Sequence, residues 1–340
     1  MGLMSRPLEP SLSVLDTMSS TELELTILGI FDARYLTFAC YSLVIYDHAL
    51  TLDQEIGYFW NRSWSVSQFL FFLVRYLTLC TIIIDLTTIF LSGSNPTVCS
   101  DLFLSSYGLF VTILIIVQVV LTLRVWYLFS GRRTIQLLAA GCFCVSFIAT
   151  IPLVIRLSTE IRMTLVMLPG MSGCIFAPSN DRLWAAYLPV LFIHSVLYIF
   201  LVYRVLSCRV TISRAPILKR FLREGGLAYL VTTVTILYSV VGSTLMNDPT
   251  MFIPVSYPSL VLATSAVSTT RLMLSIRSLA SDLHVNAVWL LNHAELARLN
   301  WKRGPNEGEL IVEVNDLGHF ELPSMHKSPL ERPDSVLALV

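Results

Sequence analysis

The sequence predicts an all-α, polytopic membrane protein: a seven-transmembrane helix bundle with its N-terminus outside and its C-terminus cytoplasmic. Three observations carry this reading. Five stretches, 102–123, 134–155, 183–203, 225–247 and 249–270, contain no Lys, Arg, Asp or Glu. At about 1.5 Å per residue each spans roughly 30 Å as a helix, the thickness of the hydrocarbon layer. Composition agrees, since 55% of residues are hydrophobic and 14% are charged, against about 25% charged in soluble domains. The mean hydropathy is +0.70. The third observation is the placement of the basic residues, taken up below.

The elements follow in chain order. Residues 1–20 carry Arg6 and acidic groups with no compact apolar core, so the N-terminus does not read as a cleaved signal peptide, and 1–30 read as a short, loosely ordered extracellular arm. Arg6 also stands where a myristoylation motif needs Ser or Thr. Two further spans, 35–52 and 67–91, are apolar on average but interrupted by charge. The seven-helix domain then covers 31–276, with 35–91 as its charge-bearing first hairpin. Beyond it, Leu279, Leu283, Ala287, Leu290, Leu291, Ala294, Ala297 and Trp301 recur at helical spacing, which predicts an amphipathic interfacial helix over 277–303. Residues 304–340 are acidic and proline-punctuated, the composition of a disordered cytoplasmic tail.

Orientation comes from the short loops. With seven spans, one side holds Arg62, Arg132, Arg133, Arg209, Arg214, Lys219, Arg220 and Arg223; the other holds Arg156, Arg162 and Arg182. Eight against three places the first side in the cytosol. Asn61-Arg62-Ser63, an acceptor pattern for glycosylation, would then face the cytosol and stay unmodified. On the outer side fall Cys99 and Cys174. That compartment favours disulfides, and a bond between them would pin the long outer loop over the mouth of the bundle. Cys208 sits beside basic residues on the inner side, where palmitoylation could reach it.

Ionisable groups inside spans need a partner or a watery cavity. Asp47, Arg75 and Arg124 share a depth near the inner side, so an Asp47 to Arg75 ion pair with Arg124 adjacent would reduce their insertion cost. The alternative is that both arginines snorkel to lipid phosphates. Asp85, two turns below the outer end of span two, is too short to snorkel. It is the candidate pocket residue, satisfied by a cation, an amine, water or the hydroxyls of Thr264, Ser265, Ser268 and Thr269; a hydrogen-bonded structural role is the competing reading. His194 reads as a satisfied interior histidine. Pro152, Pro189, Pro254 and Pro258 permit kinks in spans four, five and seven.

Tyr46-Asp47, Leu50-Thr51-Leu52, Glu55-Ile56, Trp60, Trp64, Leu70-Phe71 and Arg75-Tyr76 form a spaced pattern within the segment from span one to span two, which is roughly a fifth of the chain. The pattern resembles the N-terminal domain of a basidiomycete family of seven-span membrane proteins, the domain-of-unknown-function family 6533. The resemblance implies an architecture and no activity. Asp47, Thr51, Leu52, Glu55, Trp60, Trp64, Arg75 and Tyr76 are the motif residues it marks. Physically the stretch reads as a hairpin, with Glu55 near the start of a short interfacial helix and Tyr58, Trp60 and Trp64 as headgroup anchors.

Several functions are excluded or left without support. Lysines occur at Lys219, Lys302 and Lys327, none in a span, so no Schiff base to retinal can form there. His48 and His194, the histidines inside spans, are too few for a zinc hydrolase. Formal net charge is zero, which argues against a nucleic-acid partner. No catalytic signature, metal site or cofactor motif is present, and we read the chain as no enzyme. The bundle has a receptor outline without the usual marks: span three ends in Leu123-Arg124-Val125-Trp126. The expected function is receptor-like sensing at the plasma membrane, with unknown ligand and a cytoplasmic signalling partner met through 207–224 and the tail. A secondary transporter or a non-catalytic scaffold are the alternatives.

Overall fold

A computed structural model describes residues 20–60, 64–90, 96–129, 131–160, 174, 183–207, 216–245, 248–282, 300–303 and 310–313. Arg6, Asn61, Cys208, the loop 208–215 and the tail beyond 313 lie outside them. The chain divides into two units, Met1–Leu296 and Ala297–Val340.

Among its described residues the regular elements of the first unit are all helices. Its elements are α1 (Ser20–Glu55), a π turn (Ile56–Trp60), α2 (Val66–Phe90), α3 (Pro96–Leu128), α4 (Arg133–Glu160), α5 (Leu183–Ser207), α6 (Pro216–Thr244), α7 (Pro249–Ser256) and α8 (Ser259–Asp282). Among the described residues six helices are long and apolar enough to cross a membrane, and α6 contributes a shorter apolar stretch, Tyr229–Thr244. The unit is therefore a multi-pass helical protein suited to a bilayer. Helices suit that solvent because each satisfies its own backbone donors and acceptors where water is absent.

Helices α3 and α8 form the centre. Helix α8 packs on α1, α2, α3 and α6, and α3 packs on α2, α4, α5 and α8. Their apolar windows are 56% and 61% buried, against 17% for α4. Helix α4 instead turns Leu137, Val145, Ile148 and Ile155 outward, as a lipid-facing helix does. Hydroxyls inside the spans are quenched locally: Thr78, Thr81, Thr150, Ser265 and Thr270 each donate to the carbonyl four residues earlier. Such polar residues can sit in a span without a partner helix.

Three expectations need correction. The N-terminal arm is not unstructured up to residue 30, because α1 starts at Ser20. Its first turns are held by close packing: a Cβ added at Gly29 would lie 2.5 Å from the Pro249 carbonyl oxygen, and Ile30 and Ala33 are buried beside it. A small residue lets the two backbones approach.

The stretch 249–270 is not one continuous helix. It breaks between α7 and α8, where Tyr257 is extended at φ −83 and ψ 129. Proline explains the break, since Pro258 has no N–H to donate and disfavours helical geometry at the residue before it. Asp248 caps the short helix, its side chain accepting from the Thr250 N–H.

The third correction concerns the end of the chain. Asn300–Arg303, predicted as the end of the interfacial helix, and Leu310–Glu313, predicted as disordered, pair as antiparallel strands β1 and β2. Trp301 lies opposite Val312 and Lys302 opposite Ile311. Aromatic and β-branched residues favour such cross-strand pairs, and the acidic composition of the segment hides the apolar run Leu310-Ile311-Val312.

Candidate functional site

The first hairpin is built around a buried carboxylate. Helix α1 runs on without a break through Glu55, and the π turn Ile56–Trp60 follows it. Glu55 is thus the last residue of a long helix, not the start of an interfacial one. Its side chain is fully buried and forms an ion pair with Arg75 at 2.6 Å. The remaining acceptor capacity is used by the Tyr76 hydroxyl at 2.8 Å and the Trp60 indole N–H at 3.2 Å. Arg75 donates a second bond to the His48 carbonyl at 2.9 Å and lies over the Phe71 ring. Four residues of the predicted motif, Glu55, Trp60, Arg75 and Tyr76, therefore converge on one charge pair.

Below it the turn is sealed by Phe59. Its ring stacks on Phe71 with centroids 4.1 Å apart, and the Arg277 guanidinium of α8 lies over its face. The Gln68 amide donates to the Phe59 carbonyl at 2.5 Å. Trp60 and Trp64 remain exposed, 59% and 76%, which places apolar rings where a membrane interface would take them.

Asp47 pairs elsewhere. Its carboxylate meets the Arg271 side chain of α8 at 2.5 Å, with Arg271 53% exposed and Asp47 7%. Thr51 donates to the Asp47 carbonyl, within the helix, and Leu52 is exposed. The expected Asp47 to Arg75 pair is not formed, because two more helical turns of α1 bring Glu55 to the level of Arg75. Arg124 is buried at 4% exposure on α3, and the Tyr229 hydroxyl of α6 donates to the carbonyl of Leu121, also on α3. Sequence reasoning missed Arg271; its position directly after an apolar stretch was the available signal.

A second polar centre lies toward the other end of the same helices. Asp85 of α2 accepts hydrogen bonds from the Tyr41 hydroxyl of α1 and the Ser106 hydroxyl of α3. The seventh-span hydroxyls expected there are not its partners: Thr264 bonds the Leu260 carbonyl and Thr235, and Ser265 bonds the Val261 carbonyl. One residue of α8 does approach, since Thr37 donates to Ser259 at 3.2 Å. Asp85 lines a cavity of about 30 Å³ with Thr37, Tyr41, Thr88, Ser106 and Ser259. Cys174 forms part of the same wall. It is disulfide-bonded to Cys99 with Cα atoms 5.7 Å apart, and its N–H donates to the Thr88 carbonyl at 2.9 Å.

A neighbouring cavity of about 30 Å³ shares the walls Phe103 and Tyr107 and extends toward Gln118, Thr150 and Tyr187. His194 is fully buried on α5 and neither ring nitrogen has a hydrogen-bond partner among the described residues, so it is not the satisfied histidine expected. Among the described residues no three His, Cys, Asp or Glu side chains gather as a metal site.

Residues 35–80 match a family of unknown function, DUF6533. The match spans the segment from mid-α1 to mid-α2, and so takes in both ends of the Glu55 to Arg75 pair and the Asp47 side of the second. No curated protein and no solved structure matches the chain. The matched segment is thus the part of the molecule with a recognised pattern, and the structure gives that pattern a physical content: a hairpin closed by a buried ion pair.

Proposed function

We propose that the chain is a receptor-like sensory protein with seven membrane-spanning helices, resident in the plasma membrane of a fungus. The seventh crossing is α6, which at 29 residues reaches about 43 Å at roughly 1.5 Å per residue. The eight-to-three bias of Lys and Arg supports an outer N-terminus and a cytoplasmic hairpin turn. The disulfide end then faces outward and the Glu55 end inward.

The observation that carries the proposal is that two polar centres share the same helices. Helices α1 and α2 supply Tyr41 and Asp85 at the outer cavity and Glu55 and Arg75 at the inner end. Helix α8 supplies Ser259 to the first and Arg271 to the second pair. A ligand that shifts α1, α2 and α8 at the cavity would bias ion pairs some distance away, which is what a two-state transmembrane sensor requires. A cytoplasmic partner would meet the inner end, 207–224 and the tail.

Transport of a small solute is the second reading, favoured by the break between α7 and α8 beside the cavity, because transporter sites are built at discontinuous helices. The deciding experiment compares membranes carrying wild-type or Asp47→Asn protein for nucleotide exchange on heterotrimeric G proteins, alongside affinity capture of cytoplasmic partners. A raised basal exchange in the variant supports the sensor. Absence of exchange and of a captured partner, with solute flux into proteoliposomes, overturns it in favour of transport.

A further inference from the structure

We propose that the cavity at Asp85 binds a monovalent alkali cation, sodium by its small radius, between α1, α2, α3 and the break before α8. The site goes beyond the sensory reading and would serve a sensor or a transporter alike.

Charge is the first argument. Asp85 is a carboxylate inside a span, and among the described residues no Lys, Arg or His forms an ion pair with it. Its partners are neutral hydroxyls, Tyr41 and Ser106. Hydroxyls stabilise the charge without cancelling it, so a positive occupant completes the site.

Size and donor type then select the occupant. A cavity of about 30 Å³ holds about two water-sized species, at roughly 10–15 Å³ each. An organic amine of ordinary ligand size needs several hundred cubic ångströms and is too large. The polar side chains around it, Thr37, Tyr41, Asp85, Thr88, Ser106 and Ser259, present oxygen alone. Calcium and magnesium recruit several carboxylates or keep a large water shell. One carboxylate among neutral oxygens balances one positive charge.

The backbone supplies an independent argument. Tyr257 and Pro258 line this cavity, and here the seventh span is unwound. Pro258 cannot donate to the carbonyl four residues earlier, so the helical ladder is interrupted at the cavity wall. Unwound backbone at membrane depth is tolerated where it is buried or lines a polar cavity, and its carbonyls are suited to cations.

The test uses the purified full chain in lipid nanodiscs, at fixed pH and ionic strength, with sodium chloride exchanged for N-methylglucamine chloride. Sodium should raise the unfolding temperature saturably and radioactive sodium should bind at about one ion per chain, as ligand linkage requires. Asp85→Asn should abolish the rise while keeping the helical circular dichroism. Ser106→Ala should shift half-saturation by roughly tenfold, the order expected for one lost ligand. Equal unfolding temperatures in both salts overturn the proposal, as does a sodium response that survives in Asp85→Asn. A response to pH alone overturns it in favour of a proton. Should Asp85→Asn fail to fold, unchanged half-saturation in both Ser106→Ala and Thr37→Val overturns it. These readouts need no signalling partner, so sodium binding can stand or fall apart from the sensory reading.

Discussion

The Glu55 carboxylate and the Arg75 guanidinium meet at 2.6 Å with 0% and 3% of their side chains exposed. Both charges have left water, so their value to the fold depends on keeping each other. Breaking a buried pair by removing one partner typically costs about 3–5 kcal/mol, whereas replacing both by apolar residues of similar size is often neutral. Glu55→Leu and Arg75→Met should each lower the unfolding temperature of the purified protein sharply. The double variant should recover much of that loss. A double variant as damaged as the sum of the singles would show that the pair does not act as a unit.

The Asp47 to Arg271 pair should behave differently. Arg271 is half-exposed while Asp47 is 7% exposed, so this pair is less enclosed than Glu55 with Arg75 and its loss should cost less than the roughly 3–5 kcal/mol of a fully buried pair. Arg271→Gln is expected to unfold close to wild type at high salt and slightly below it at low salt. Thermal denaturation at two ionic strengths reads this directly.

The bond between Cys99 and Cys174 closes a separation of 75 residues. Loop-closure entropy for such a span corresponds to about 4.5 kcal/mol as an upper figure, with about 2–4 typical. Cys99→Ser should therefore reduce thermal stability, and reductant should reproduce the effect in wild type without adding to it in the variant. A reductant effect that persists in Cys99→Ser would point to a different thiol.

Glycine positions test the packing of the short helix α7. A Cβ at Gly29 would come within 2.5 Å of the Pro249 carbonyl oxygen, and one at Gly242 within 2.5 Å of a Val255 methyl. Overpacking of this kind costs roughly 1–3 kcal/mol. Gly29→Ala and Gly242→Ala should destabilise. Gly141→Ala, in α4 with nothing within 4 Å, should gain about 0.5–1 kcal/mol from helix propensity. Equal effects at all three positions would remove the packing argument.

Long apolar stretches mark most of the helices in the sequence, because a bilayer demands helices of one minimum length and a low charge density. Asp85 was legible for the same reason: an aspartate in a span is conspicuous. Its partners were not, since Tyr41 and Ser106 look like ordinary span residues until three helices are assembled. Depth matching proposed Asp47 for Arg75, and failed because it assumed that α1 ends near Leu52. The helix continues to Glu55, and the π turn then fixes which carboxylate faces Arg75.

The sequence by itself determined that the chain is helical and suited to a membrane, and that a few charges are embedded in it, because hydropathy and length are local properties. The tertiary structure decided which charges pair, where the stretch 249–270 breaks against its neighbours and that Asp85 faces a small cavity with hydroxyl groups in its wall. Those outcomes depend on the rotation and reach of whole helices about one another, set by packing at Gly29, Gly242, α3 and α8, and no single stretch of sequence encodes that geometry.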